Sequence, residues 1–188
     1  AVLRHVDAGA QFASFGDNDN VQYLEQTSGR VAAMFPLIAG QLQNMAAVSY
    51  SSQNRADYAG GAPNVFGSQF DGERTRFEYT GVLALNENND LVFGVDHEDE
   101  EVTTDALSRS RDITGIYGEW TGALADNVYT TAGVRFDEHS QFGEHVSWRA
   151  TIAWLPVVFA GGETKFHASA GTGFRAPSLF ELFDGFSG

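Results

Sequence analysis

The feature that most constrains this chain is a period of two. Along 164–174, Phe166, Ala168, Ala170, Thr172 and Phe174 fall on one face, and Lys165, His167, Ser169, Gly171 and Gly173 on the other. Only an extended strand separates alternate residues in this way, with one apolar and one polar side. Arg175 extends the polar row. Pro177, which has no amide hydrogen to donate, marks where regular pairing weakens.

The same alternation recurs along the chain. Val6, Ala8, Ala10 and Phe12 form one apolar row. Further rows are Val31, Ala33, Phe35 and Leu37; Leu42, Ala46, Val48 and Tyr50; and Phe77, Tyr79, Leu83 and Leu85. Leu91, Phe93 and Val95 follow, then Ile116, Trp120 and Leu124, then Val128 to Phe136 and Val146 to Trp154. Apolar positions seldom recur at helical spacing. The expectation is an all-β chain: an antiparallel up-and-down meander of about nine strands with almost no helix. Short connections are expected near 37–41, 86–90, 124–127 and 156–163. Longer ones are expected near 16–21, 51–72, 98–112 and 138–145.

Two architectures could own these faces. In a soluble β-sandwich the apolar side looks into a core. In a membrane barrel it meets lipid, and the polar side lines a lumen. No apolar run approaches the roughly 18 residues of a membrane helix, but a barrel strand needs only about 9–11 residues, half of them apolar. Ala8, Ala10, Ala33, Ala132, Ala150, Ala168 and Ala170 are small for a sandwich core and acceptable to lipid. Trp120, Trp148, Trp154 and Tyr50 are expected near strand ends, where aromatic girdles sit. The net charge of −14 offers no basic stripe for nucleic acid, and the absence of Cys removes disulfides and thiolate sites. The chain begins at Ala1 without a signal-peptide pattern and reads as an internal piece of something longer.

The run from Gly171, Gly-Thr-Gly-Phe-Arg-Ala-Pro-Ser-Leu-Phe-Glu-Leu, closely resembles the signature of TonB-dependent outer-membrane receptors. Residues 132–154 are similar to a hairpin of the vitamin B12 (cobalamin) receptor branch. The resemblance covers the chain from about Thr27 onward and is sharp from Gly115. It implies a Gram-negative outer-membrane location and a transmembrane β-barrel of about 22 strands. Residues 1–188 would be a partial barrel domain, with the plug domain and the remaining strands absent. It further implies active import of a scarce small-molecule nutrient, most closely cobalamin, with TonB acting through the missing plug and lipid around the wall. A ferric-siderophore receptor of the same family is the runner-up, and a soluble binding module is the alternative of a different class.

Site expectations follow. Loop residues Tyr58, Asn64, Phe66, Gln141 and Phe142 are candidate ligand contacts, because aromatic and amide groups suit a polar, ring-bearing ligand. Arg135, Arg149, Lys165 and Arg175 belong to polar faces. Each would cost about 2–4 kcal/mol on lipid at midplane, so they are expected to face the lumen and meet a plug. The acidic run 96–101 suggests calcium, a hard cation seeking about 6–8 oxygens, with Asp96, Asp99 and Glu101 as candidate ligands. Asp17, Asp19 and Asp57 rank second. The competing reading of the run is a solvated strand end. His139 and His145 read better as a polar loop than as a metal pair. Glu78, Glu119 and Asp137 read as water-facing groups. No pairing of nucleophile and base stands out, so no enzyme is expected and no cofactor other than calcium. As an isolated piece, about nine strands should leave two free edges.

Overall fold

The computed structural model describes residues 1–12, 20–58, 66–105, 107–156 and 164–174. Nine strands make one antiparallel sheet in sequence order: β1 (Val2–Phe12), β2 (Asn20–Leu37), β3 (Leu42–Tyr58), β4 (Phe66–Asn86), β5 (Asn89–Thr104), β6 (Ser108–Ala125), β7 (Val128–His139), β8 (Gly143–Trp154) and β9 (Phe166–Gly171). Each strand pairs with its neighbours in sequence, so the meander is as expected. The sheet stays open: β1 pairs only with β2, and β9 only with β8. Among the described residues the only helical piece is the single turn Ile38–Gly40, entered through left-handed Ile38 and Ala39 at φ 53° each.

Register follows from the apolar rows. Across β7 and β8, Val128 faces Trp154, Ala132 faces Ala150 and Phe136 faces Val146. A slip by one residue would set every apolar side chain against a polar one, so the pattern itself selects the pairing. The rows 42–50, 128–136 and 146–154 each run about 27 Å along the strand. With the usual tilt removed they approach the roughly 25 Å apolar band of an outer-membrane barrel.

The described residues form no core. Among their apolar side chains only Ala47 and Val102 are buried, and the accessible surface is 12716 Å². A compact soluble protein of 20.4 kDa would expose about 8,800 Å². Val146, Trp148, Ile152, Trp154 and Phe166 all stand exposed on the apolar face. A sandwich or a collapsed sheet would have hidden them. The surface is built to be covered by lipid.

Several expectations change. The segments 51–72, 98–112 and 138–145, read as long loops, are largely strand: β3 runs to Tyr58, β5 to Thr104 and β7 to His139. Beyond the apolar band both faces are wet, so the ladder continues without apolar alternation to announce it. Strands of 16 to 21 residues, β2 to β6, therefore overrun the membrane span. Val6 and Ala8 change face. They pair with Gln26 and Leu24 and so lie on the polar side, opposite the row of Val31. Trp154 ends β8 and stacks on Phe166 with ring centres 5.6 Å apart, as a girdle would, but Trp120 and Trp148 sit inside their rows. The ladder of β9 ends at Gly171. Freed from it, Phe174 leaves the apolar row and stacks on His145 at 3.5 Å, sharing a groove with Arg76, Asp96 and Asp137.

Candidate functional site

The polar face carries the organised chemistry. Of the 11 lysines and arginines, nine arginines lie in the described ladder. The register places every one of those arginines on this single face. Arg30, Arg55, Arg74, Arg76, Arg111, Arg135 and Arg149 meet carboxylates of the wall itself. Arg135 holds Asp96 with two hydrogen bonds, of 2.7 and 3.0 Å, and Asp137 at 2.8 Å. Arg76 reaches Asp96, Glu98 and Glu78 at 3.4–3.5 Å. Arg30 meets Glu78 at 3.0 Å, Arg74 meets Glu98 at 3.1 Å, and Arg111 pairs with Glu100. Arg149 meets Glu119 at 2.7 Å.

The contacts Arg135–Asp96 and Arg149–Glu119 each skip a strand, and glycine makes room for them. Arg135 on β7 lies over Gly115 on β6 to reach Asp96 on β5; a Cβ at Gly115 would sit 1.9 Å from the guanidinium. Tyr117 on β6 lies over Gly94 on β5 to share a 2.8 Å hydrogen bond with Thr80 on β4. A Cβ at Gly94 would lie 2.5 Å from the Tyr117 hydroxyl. Arg149 on β8 crosses Gly133 on β7 to Glu119 on β6. A long polar side chain thus closes over a strand that has no side chain there. In sequence the signal is a glycine on the polar face of a strand interior, which marks a close approach.

The apolar face is different at its far end. There Asp7 stands opposite Glu25, Glu73 opposite Glu101, Asp99 opposite Asp112 and Glu138 opposite Glu144. No lysine or arginine of the ladder shares that face.

The expected sites resolve as follows. Arg135 and Arg149 lie on the polar face, and each already finds a carboxylate of the wall: Asp137 on its own strand and Asp96 two strands away for Arg135, and Glu119 two strands away for Arg149. Glu78 pairs with Arg30 and Arg76. Lys165 is exposed and sits just before β9, outside the ladder, and Arg175 lies outside the described residues. Asp96, Asp99 and Glu101 do not form one site. Asp96 lies on the polar face, held by Arg135 and Arg76. Asp99 and Glu101 project from the other face, near His97 at 3.3 Å and Ser108 at 3.4 Å. The cause is strand alternation, which the reading of 98–112 as a loop obscured. Among the described residues no group of three or more His, Asp or Glu gathers for a metal. Asp57 is occupied by Gln22, Ser68 and Arg55; Asp17 and Asp19 lie outside the described residues.

Tyr58 ends β3 and meets Tyr23 edge-to-face at 5.7 Å. Gln141 and Phe142 form the β7–β8 turn, four strand spacings away, or about 19 Å along the sheet. The described chain thus brings the candidate contacts to one end without bringing them together. Asn64 and the Phe66 side chain lie outside the described residues.

One residue of that turn is more than a polar loop. His139 is 2% exposed, its Nδ1 accepts the Gln141 amide at 3.0 Å, and the Phe142 ring packs on it at 4.7 Å. It lies three residues beyond Phe136, the last member of its apolar row, and so outside the membrane band. Its pKa is lowered, first by burial, then by Arg111 and His145, against the opposing pull of Asp112 and Glu100.

An open sheet, apolar outside and charge-paired on its polar face, is the wall of an outer-membrane β-barrel. The family "TonB dependent receptor-like, beta-barrel" matches residues 4–188, and the chain belongs to it. It is also 28% identical over 210 aligned residues to the vitamin B12 transporter BtuB of Vibrio vulnificus (strain YJ016), covering 96% of this chain and 32% of that protein. The chain spans about a third of the length of this curated relative. Its location is the outer membrane of a Gram-negative cell.

Proposed function

We propose that the parent receptor captures cobalamin outside the cell and imports it by TonB-driven transport, with this chain as a stretch of barrel wall. The similarity to a vitamin B12 transporter along 96% of the chain carries the reading. In it, the polar face lines the lumen, and its arginines are neutralised in place by Asp96, Asp137, Glu98 and Glu119. Such a wall presents few unpaired charges to a plug or a passing ligand. The long β3 ends at Tyr58, beyond the apolar band, and the Gln141–Phe142 turn closes the shorter β7 and β8 at the same end of the wall. In this reading that turn and the 59–65 segment contact the ligand. The chain acts by binding and guiding and makes no bond.

Radiolabelled cyanocobalamin binding to the parent receptor in outer-membrane vesicles tests this, with ferric siderophores as a parallel arm. The expected result is saturable cobalamin binding that weakens when 59–65 is replaced by a Gly-Ser linker. Siderophore binding with no cobalamin binding would overturn the ligand while leaving the receptor class intact.

A further inference from the structure

His139 ends β7 at the wet end of the wall and closes the turn to β8. Its Nδ1 accepts the Gln141 amide, so the neutral ring carries its hydrogen on Nε2. That Nε2 is buried and has no partner among the described residues. The turn leans on this ring at two points: the Gln141 amide is bound to it and the Phe142 ring packs on it. Ser140, next in the chain, is tied separately to Asp112 of β6 through three hydrogen bonds.

We propose that His139 is an acid-sensitive latch on the β7–β8 turn: neutral, it holds the turn closed through the Gln141 amide; protonated, it releases it. A second proton can bind only at Nδ1, where it would point at the amide hydrogen it now accepts. The second proton would also place a charge in a site 2% exposed whose other nitrogen has no acceptor. The charged groups facing the ring pull in both directions. Arg111 from β6 and His145 from β8 oppose a proton, whereas Asp112 from β6 and Glu100 from β5 favour it. Asp137, on the same strand and face, is already engaged by Arg135. Glu100 is likewise engaged by Arg111. The ring is therefore protonated mainly by opening the turn.

The sign follows from linkage. The closed turn binds the proton more weakly than an open one, whose histidine titrates near the ordinary value of about 6.5. Closure is fully favoured above that pH and is lost as pH falls below it, by up to about tenfold per unit until the closed form itself titrates.

The test uses the parent receptor in detergent micelles. Hydrogen exchange of the peptide covering 136–146 is measured at pH 7.5 and 5.5 and corrected for the chemical exchange step. The wild type should lose up to about tenfold in protection at pH 5.5. His139→Asn, which keeps an acceptor near the Nδ1 position and cannot titrate, should show the same protection at both pH values. His145→Asn should retain the wild-type response. Equal wild-type protection at both pH values, or the same loss in His139→Asn, overturns the latch. A second readout needs no variant: exchange of the imidazole C2 hydrogen gives the His139 midpoint, expected below the ordinary histidine value of about 6.5. A midpoint at or above that value also overturns it.

Discussion

The same residue type lives under opposite conditions on the two faces of this wall. On the polar face Asp96 is buried, with a side chain only 8% exposed, and Arg135 grips both of its oxygens. On the other face Asp99 is 61% exposed and stands directly opposite Asp112. Four such acid–acid pairs line the wet end of that face, and no ladder arginine joins them. Like charges set directly opposite destabilise a sheet, but water and salt screen them at this exposure. A buried carboxylate has no such relief and needs its cation. Carboxylate number therefore says little here, and the face decides whether an acid stitches strands together or strains them.

The largest effect should come from removing the stitch. Arg135→Ala leaves Asp96 with only the longer contact to Arg76 and should destabilise the parent receptor by about 2–4 kcal/mol, discounted because Arg135 itself is 32% exposed. Urea unfolding followed by band shift on gels checks this. Asp96→Asn in the same background should recover part of the loss; no recovery would mean the arginine acts through packing alone.

Glycine offers a middle-sized contrast between the faces. A methyl at Gly94 would lie 2.4 Å from the Tyr79 carbonyl oxygen and would displace the Tyr117 ring, whereas one at Gly118 meets nothing within 4 Å. Gly94→Ala should cost about 1–3 kcal/mol, and Gly118→Ala should be neutral or slightly stabilising. Equal costs in thermal unfolding would remove the idea that polar-face glycines are there to be crossed.

The smallest effect belongs to the acid pairs. Asp99→Asn should stabilise by about 0.2–1 kcal/mol at low salt, through relief of the repulsion from Asp112, and the gain should shrink towards zero near 1 M salt. A salt-independent gain would point to hydrogen bonding in place of charge.

Much of this was legible because strand geometry is local. Phe77, Tyr79 and Leu83 declare one face, and Arg76, Glu78 and Thr80 the other, without any knowledge of neighbours. Asp96 and Asp99, an odd number of residues apart, had to diverge once β5 was known to continue through them. That continuation was hidden, because past the membrane band neither face needs to be apolar. The ladder is then maintained by backbone pairing, which leaves no mark on side-chain type. His139 was unreadable for a related reason: its burial comes from Phe142 and the close of the turn.

The sequence by itself determined that the chain is a meander of two-faced strands, which residues share a face, and that the apolar face has the length to cross a membrane. Its period of two does this, since the pleat sends alternate side chains to opposite sides whatever the partner. Only the tertiary structure decided which acid meets which arginine, that Val6 and Ala8 lie on the polar side, and where each strand ends. Those depend on register, a relation between strands far apart in the chain. The Arg135–Asp96 contact joins residues 39 positions apart across a strand that contributes only Gly115 beneath it.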